Sequence, residues 1–512
     1  MPIREEEPKT IKQPNAEKVG GLARKGVGWS ALQFVSRQGI SLVATAILTR
    51  ILAPGDYGLM AMVMTLTALF DVFSDLGLSW VTVQEPGLTR VHVDNLFWIG
   101  TAGGFVLWGI CAASGPALDA FYGRNDLGPV AAAAGAGFVF SSMAIQPTSL
   151  LRRQLQISTI ARAEITSQVL SSLMGVTVAF LGGRYWALVM LGLGKQFSYL
   201  VLILWRARYW PALPHQLLSM TRFVRFGAYL SANGFLVYIA RNLDNVLVGK
   251  FWGAEQLAFY SRAYFLMLLP ASIATGILAT VAVPALSAVS HDRERMGAAF
   301  RKGLRAISAL AFPLAIGLCV AAPGAVRLIY GPKWMAVVPL LRWLCLASVS
   351  QPIYMTVGWL YISVGKGREM FFWSLTQAII LAITFAIAVR WGATGVSAAY
   401  GIVATGCIAL PGLYAAHRAS ALRYAPSLYV LVRPLVAAVT MGAAAWLAGA
   451  LVSRLGWSWG AVLAAQVVIG AIVYLAVFGL RSLVEALFAR PISEDAWKQF
   501  KFPSFSLGHW VA

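Results

Sequence analysis

Apolar runs of membrane-spanning length, separated by short polar or Pro/Gly-containing breaks, fill the chain from residue 28 to residue 480. A transmembrane helix needs about 20 predominantly apolar residues. That criterion predicts fourteen spans, near 28–50, 57–80, 95–114, 129–150, 163–182, 185–205, 226–248, 263–288, 304–322, 337–362, 370–390, 393–415, 431–452 and 459–480. The shortest breaks are Gly182-Gly183-Arg184 and Arg390-Trp391-Gly392, where two spans are hardest to tell from one long helix. The expected fold is all-α and polytopic, with polar segments at 1–25 and 483–512 reading as tails.

Within this pattern one stretch is used twice. Lys250-Phe251-Trp252-Gly253-Ala254-Glu255-Gln256-Leu257-Ala258 has the shape of Arg50-Ile51-Leu52-Ala53-Pro54-Gly55-Asp56-Tyr57-Gly58, 200 residues earlier. A basic residue, two bulky apolar residues, a small residue, a turn and a new apolar span follow in the same order. The repeat predicts a chain of two equal halves, a common way to build a transporter with the substrate path between the copies.

Composition agrees with the pattern. The chain is 59% hydrophobic and only 12% charged, against about 25% charged in soluble domains, so a soluble globular fold is excluded. Its 41 Lys+Arg against 20 Asp+Glu would suggest nucleic acid in a soluble protein. Here the positions decide, because membrane insertion leaves basic residues on cytoplasmic loops. With the N-terminus placed inside, cytoplasmic segments and the span ends bordering them carry 28 basic residues and the outer ones 9, which predicts both termini in the cytoplasm. Cys111, Cys319, Cys345 and Cys407 all fall inside apolar spans without metal-ligand spacing, so they read as small core residues.

Covalent chemistry finds no support. Every outer loop is short, and the sequence has no Gly-rich phosphate loop, no H-E-x-x-H and no Gly-x-Ser-x-Gly. The five histidines lie in loops or at span ends. Neither an enzyme nor a cofactor or metal is implied.

Charges inside the spans are the informative chemistry, since each costs about 2.5–3.5 kcal/mol on insertion scales and usually faces a partner or a wet cavity. Arg37 lies near the middle of the first span and Lys195 near the middle of the sixth. Neither has an acidic residue one turn away on its own helix, which points to an aqueous cavity attracting an anion. Asp71 and Asp75 in the second span are four apart, so on one helix they share a face. Like charges there repel unless a proton or cation intervenes, which makes the pair a candidate for ion coupling; pairing of Asp71 with Arg37 is the structural alternative. Arg241 and Asp244 in the seventh span are three apart and either neutralise each other or join the same cavity and coupling functions.

Several stretches together resemble one family. They are Leu48-Thr49-Arg50-Ile51-Leu52-Ala53-Pro54-Gly55-Asp56-Tyr57-Gly58, Asp75-Leu76-Gly77-Leu78-Ser79, Arg152-Arg153-Gln154-Leu155, Ala240-Arg241-Asn242-Leu243-Asp244-Asn245 with Gly249-Lys250, Tyr260-Ser261-Arg262-Ala263-Tyr264 and Gly331-Pro332-Lys333-Trp334. Their order and spacing resemble the Wzx-type polysaccharide transporters, the lipid-linked oligosaccharide flippases of the multidrug/oligosaccharidyl-lipid/polysaccharide superfamily. The resemblance implies six-helix lobes at 26–210 and 211–420, two further helices within 421–482, and alternating access in the bacterial inner membrane. It also implies the cargo, an undecaprenyl-pyrophosphate-linked oligosaccharide, and a setting among polysaccharide polymerase and chain-length or export proteins. Arg37, Lys195 and Arg241 would then face the diphosphate, and Asp71, Asp75 and Asp244 the coupling ion. A multidrug-extrusion-type cation antiporter would instead line its cavity with carboxylates, and a non-transporting subunit of a synthesis complex would pair its buried charges with one another.

Overall fold

The computed structural model describes residues 16–75, 77–84, 88–214, 221–289, 291–479 and 482, without the side chains of 16–25, 27, 80, 81, 84, 274–285, 288 and most residues from 221 to 241. The tail at 483–512 and most of the tail at 1–25 lie outside the described residues. The first ten helices are α1 (Ala16–Ile51), α2 (Pro54–Asp71), α3 (Leu78–Gln84), α4 (Arg90–Ala113), α5 (Gly115–Tyr122), α6 (Leu127–Gly135), α7 (Gly137–Arg153), α8 (Ile157–Phe180), α9 (Trp186–Ala207) and α10 (Thr221–Ala288). They are followed by α11 (Arg293–Val320), α12 (Ala322–Ile329), α13 (Val337–Ser363), α14 (Gly367–Ala388), α15 (Gly392–Val403), α16 (Leu410–Ala419), α17 (Ala425–Arg454) and α18 (Trp459–Phe478). No strand occurs among the described residues.

Ten stretches among the described residues are long and apolar enough to cross a membrane. The predicted second span is shorter than its hydrophobic run: α2 closes at Asp71, and α3 begins only at Leu78. Asp71 and Asp75 therefore do not stack on one helix face. Asp75 sits in the intervening turn and serves as the cap of α3, accepting from the Ser79 amide at 3.0 Å and the Ser79 hydroxyl at 2.5 Å. This is the usual way a short polar side chain satisfies the free amides of a helix start. The predicted seventh and eighth spans both lie in α10, which breaks at Gly253, a residue with φ 79° and ψ −179°. The expected loop between them is thus almost entirely helical, interrupted only at the glycine that can take this conformation.

The chain divides into two compact units, one of residues 1–266, 322–344 and 374–400, the other of 267–321, 345–373 and 401–512. In the first unit, α8 presents small residues at every fourth position, Ala163, Ser167, Ser171, Gly175 and Ala179, all buried. A Cβ added at Gly175 would come to 3.0 Å from the Ala187 carbonyl, and one at Gly194 to 2.9 Å from the Met174 sulfur. Small residues let α8 and α9 approach closely, which is what drives helix association where water supplies no hydrophobic force. The second unit is held by Phe300, Leu304, Ile307, Phe312, Leu360 and Leu413, against which α17 and α18 pack. Tyr474 of α18 donates to the Ala309 carbonyl of α11 at 2.6 Å. The opposite faces carry exposed Val439, Trp446, Leu451, Val467, Val468 and Ile472, as helices facing lipid do.

The repeated stretch has one construction in both copies. Arg50, at the end of α1, donates to the carbonyls of Leu328 (2.6 Å) and Ile329 (3.3 Å) at the end of the eight-residue helix α12. Lys250, before the Gly253 break, donates to the Phe121 carbonyl at the end of the eight-residue helix α5. Each basic residue thus meets the carbonyls that a helix C-terminus leaves unpaired. The short helices also lead into matching turns, Tyr122-Gly123 and Tyr330-Gly331, with φ of 67° and 92° at the glycines. Between the copies, a Cβ on Gly58 would stand 1.8 Å from the carbonyl oxygen of Ala254. Trp334 fills the space beside this contact, edge-on to Tyr57 (5.2 Å) and Phe259 (5.9 Å) and donating to the Thr49 carbonyl at 3.0 Å.

Candidate functional site

A cavity of about 330 Å³ opens within the first unit, between α1, the turn before α3, α7, α8 and α9. Its charged lining is three basic residues, Arg37, Arg152 and Lys195, against two acidic ones, Asp75 and Glu164. Ser74, Ser79, Ser141, Thr148, Ser149, Gln196 and Tyr199 supply hydroxyl and amide groups around them. The close α8–α9 contact sets Glu164 and Lys195 on adjoining walls, and α1, which packs along α8, adds Arg37 from the third.

The structure brings the predicted Arg37 and Lys195 together here, 158 positions apart in sequence. Neither forms an ion pair or a side-chain hydrogen bond among the described residues. The reading that Lys195 lacks an acidic neighbour holds only along its own helix, because Glu164 arrives from α8. The charged neighbours of Lys195 are Glu164 and Arg37. Glu164 is held in turn from α1, where the Gln33 amide donates to its carboxylate at 2.5 Å.

Other predicted residues fall elsewhere. Asp71 is not part of the cavity lining; it accepts from the Ser74 hydroxyl at 3.3 Å. Asp75 lines the cavity but already caps α3. Asp244 is fully buried in α10, accepting from the Tyr260 hydroxyl at 2.7 Å and the Asn245 amide at 2.8 Å. The side chain of Arg241, and with it both its pairing with Asp244 and its place in a cavity, lies outside the described residues.

Glu164 and Arg152 are the lining charges that sequence reasoning did not assign to the site. Glu164 carried a signal, being the one acidic residue of the predicted span 163–182. Arg152 reads from sequence as an ordinary topology-determining loop residue, and nothing in its spacing distinguishes it from Arg153. In the structure Arg153 is buried and donates to the Thr82 carbonyl at 2.9 Å, while Arg152 reaches the cavity. Among the described residues no cluster of His, Cys, Asp and Glu is suited to a metal.

Lipid-facing helices around a polar cavity with more basic than acidic lining residues define a multi-pass membrane protein with a transporter fold. Known structures similar to it share the fold. The lipid II flippase MurJ in an inward closed conformation matches with a TM-score of 0.71 at 14% identity, over 89% of this chain and 99% of that one. An inward-facing multidrug resistance MATE family transporter of the MOP superfamily matches at 0.59 and 16% identity, over 76% and 98%.

The chain belongs to the polysaccharide biosynthesis protein family, whose model matches residues 47–339. It is 28% identical over 338 residues to the lipopolysaccharide biosynthesis protein WzxC of Escherichia coli (strain K12), covering 64% of this chain and 68% of that protein. It is 25% identical over 431 residues to the succinoglycan biosynthesis transport protein ExoT of Rhizobium meliloti (strain 1021), covering 81% and 84%. The family expected from the sequence motifs is the family found.

Proposed function

We propose that this protein is a flippase that moves undecaprenyl-pyrophosphate-linked oligosaccharide repeat units across the bacterial inner membrane, for exopolysaccharide, capsule or lipopolysaccharide synthesis. The observation that carries this reading is the cavity where Arg37, Arg152 and Lys195 meet inside a bundle of apolar helices. A diphosphate bearing a glycan cannot cross hydrocarbon unaided, and cations in a water-filled recess offset its desolvation. The hydroxyls and amides around them suit a sugar, which is bound by many single hydrogen bonds. No covalent bond changes in such a step, so the residues act by binding and not by catalysis.

Transport by alternating access between lobes at 26–210 and 211–420, with both termini cytoplasmic, is part of the proposal. So is a coupling role for Asp71, Asp75 or Asp244, of which Asp244 is the most fully buried and is met by a hydroxyl and an amide. Arg241 remains a proposed cavity cation on sequence grounds. A polymerase and chain-length proteins are the natural recipients of the product. The fold is shared with multidrug transporters, but a cavity with more basic than acidic residues favours an anionic cargo over a cationic drug.

Replacing Lys195 by Ala is the direct test. Lipid-linked repeat units are expected to accumulate on the inner face and surface polysaccharide to fall, with the protein still in the membrane at its normal level. Normal export in Lys195→Ala and in the double variant with Arg37→Ala would remove the cavity from the transport path.

A further inference from the structure

Hydrogen bonds that join residues 26–210 to residues 221–420 gather around the two copies of the repeated stretch. Arg50 donates to the carbonyls of Leu328 (2.6 Å) and Ile329 (3.3 Å), Lys333 to the Arg50 carbonyl (3.4 Å), Trp334 to the Thr49 carbonyl (3.0 Å) and Lys250 to the Phe121 carbonyl. Tyr238, deeper in α10, donates to the Thr65 carbonyl. The division into compact units agrees: 221–266 of α10, 337–344 of α13 and 374–388 of α14 belong to the unit that holds residues 1–210, and the remainders of those helices do not. With the N-terminus cytoplasmic, as proposed, these portions are the outer ones. The cavity lies further in. Arg37 precedes Arg50 by 13 residues, about 20 Å of helix, and the lining residues Ser149, Arg152 and Glu164 sit toward the inner ends of α7 and α8.

Resting on the alternating-access reading above, we infer that Arg50 and Lys250 form a paired outer clasp, which holds the cavity shut toward the outside and parts to let the cargo leave. The two contacts share one chemistry. Each basic residue stands at the same place in the repeated stretch and meets the last carbonyls of an eight-residue helix, α12 for Arg50 and α5 for Lys250. Each also reaches from its own half of the chain into the other, so the halves hold one another reciprocally. Both side chains are exposed and both partners are neutral carbonyls. Charge against the negative end of a helix dipole steadies such a contact, yet it parts readily because water takes the place of the carbonyls. A buried ion pair would resist opening, since separation strands two charges. An apolar seal accompanies the clasp: Gly58 meets the Ala254 backbone, and Trp334 packs edge-on to Tyr57 and Phe259. The seal excludes water, and the clasp sets how often it opens.

The test follows thiol labelling of Ser141→Cys, a cavity-lining position, in the full-length protein with its four native cysteines replaced. A membrane-impermeant maleimide is applied to inside-out and to right-side-out membrane vesicles. The parent is expected to label from the inner face and only slowly from the outer one. Arg50→Met or Lys250→Met alone should speed outer labelling about threefold, and the two together roughly tenfold, with inner labelling slowed. Arg50→Lys combined with Lys250→Arg, which keeps both donors, should stay near the parent. In a second measurement, Arg50→Cys and Leu328→Cys are joined by a reductant-cleavable bis-thiosulfonate of arginine's reach. Surface polysaccharide should fall, and recover once the link is reduced. Unchanged outer labelling in the double methionine variant, or export that persists with the link closed, overturns the clasp and leaves alternating access standing. Should the double variant be missing from the membrane, the cross-link decides. A parent that labels equally from both faces has no outer closure, and the alternating-access reading then fails together with this inference.

Discussion

Gly58→Ala is the smallest change that should disturb the contact between the two copies of the repeated stretch. The added Cβ would lie 1.8 Å from the Ala254 carbonyl oxygen and 2.3 Å from its carbon, both backbone atoms that cannot rotate away. Real Cβ contacts essentially never fall below 3.0 Å, so α2 and the start of the second half of α10 must separate by at least 1.2 Å. Overpacking of this kind costs about 1–3 kcal/mol. The displacement also loosens the edge-on rings of Tyr57 and Phe259 against Trp334, each pair contributing about 0.5–1.5 kcal/mol. A loss of about 2 kcal/mol changes a two-state ratio by roughly thirtyfold.

The readout is the distance distribution between spin labels at Leu181 and Trp391, both exposed, in a background lacking the four native cysteines. A narrow distribution in the parent protein should acquire a second, longer component in Gly58→Ala. Gly55→Ala is the control on the same helix, because its added Cβ meets nothing within 4 Å. Identical distributions for all three proteins would show that the close approach at Ala254 does not hold these segments together.

Two further outcomes follow from named groups. In a reconstituted flipping assay, Asp244→Asn and Asp71→Asn are each compared for response to proton and sodium gradients; the buried Asp244 is expected to carry the effect, and gradient dependence unchanged in both variants would leave these carboxylates structural. Outside the membrane spans, Arg124 grips Asp126 with two hydrogen bonds of 2.7 and 2.6 Å and holds its carboxyl below the usual value. A carboxyl depressed in the folded state contributes stability above its unfolded pKa and loses it as pH falls through the folded one. The protection of amides at the start of α6, which Asp126 precedes, with the intrinsic pH dependence of exchange divided out, should therefore be constant from neutral pH down to the ordinary carboxylate range and fall only below it. Loss of protection already between pH 7 and pH 5 would refute the link. The effect should be small, since both side chains are about a third exposed.

The class of protein was legible in the sequence because the membrane imposes a one-dimensional rule. Each crossing must satisfy its backbone internally over a fixed thickness, so span length and hydropathy can be counted along the chain. The repeat was legible for a related reason, since Gly253 and the Ala53-Pro54 pair both mark where a helix must stop and another start. The same pattern continues in Tyr122-Gly123 and Tyr330-Gly331.

What only the tertiary structure decided is which charges meet. Helical spacing relates residues three or four apart, and by that rule Asp71 and Asp75 formed a pair while Lys195 stood alone. A turn after Asp71 separates the first two and gives Asp75 to the cap of α3. Packing of α8 against both α1 and α9 brings Glu164 to Lys195 and Arg37. Coulomb interactions depend on distance through space and on the medium between the charges, and neither quantity is written along the chain.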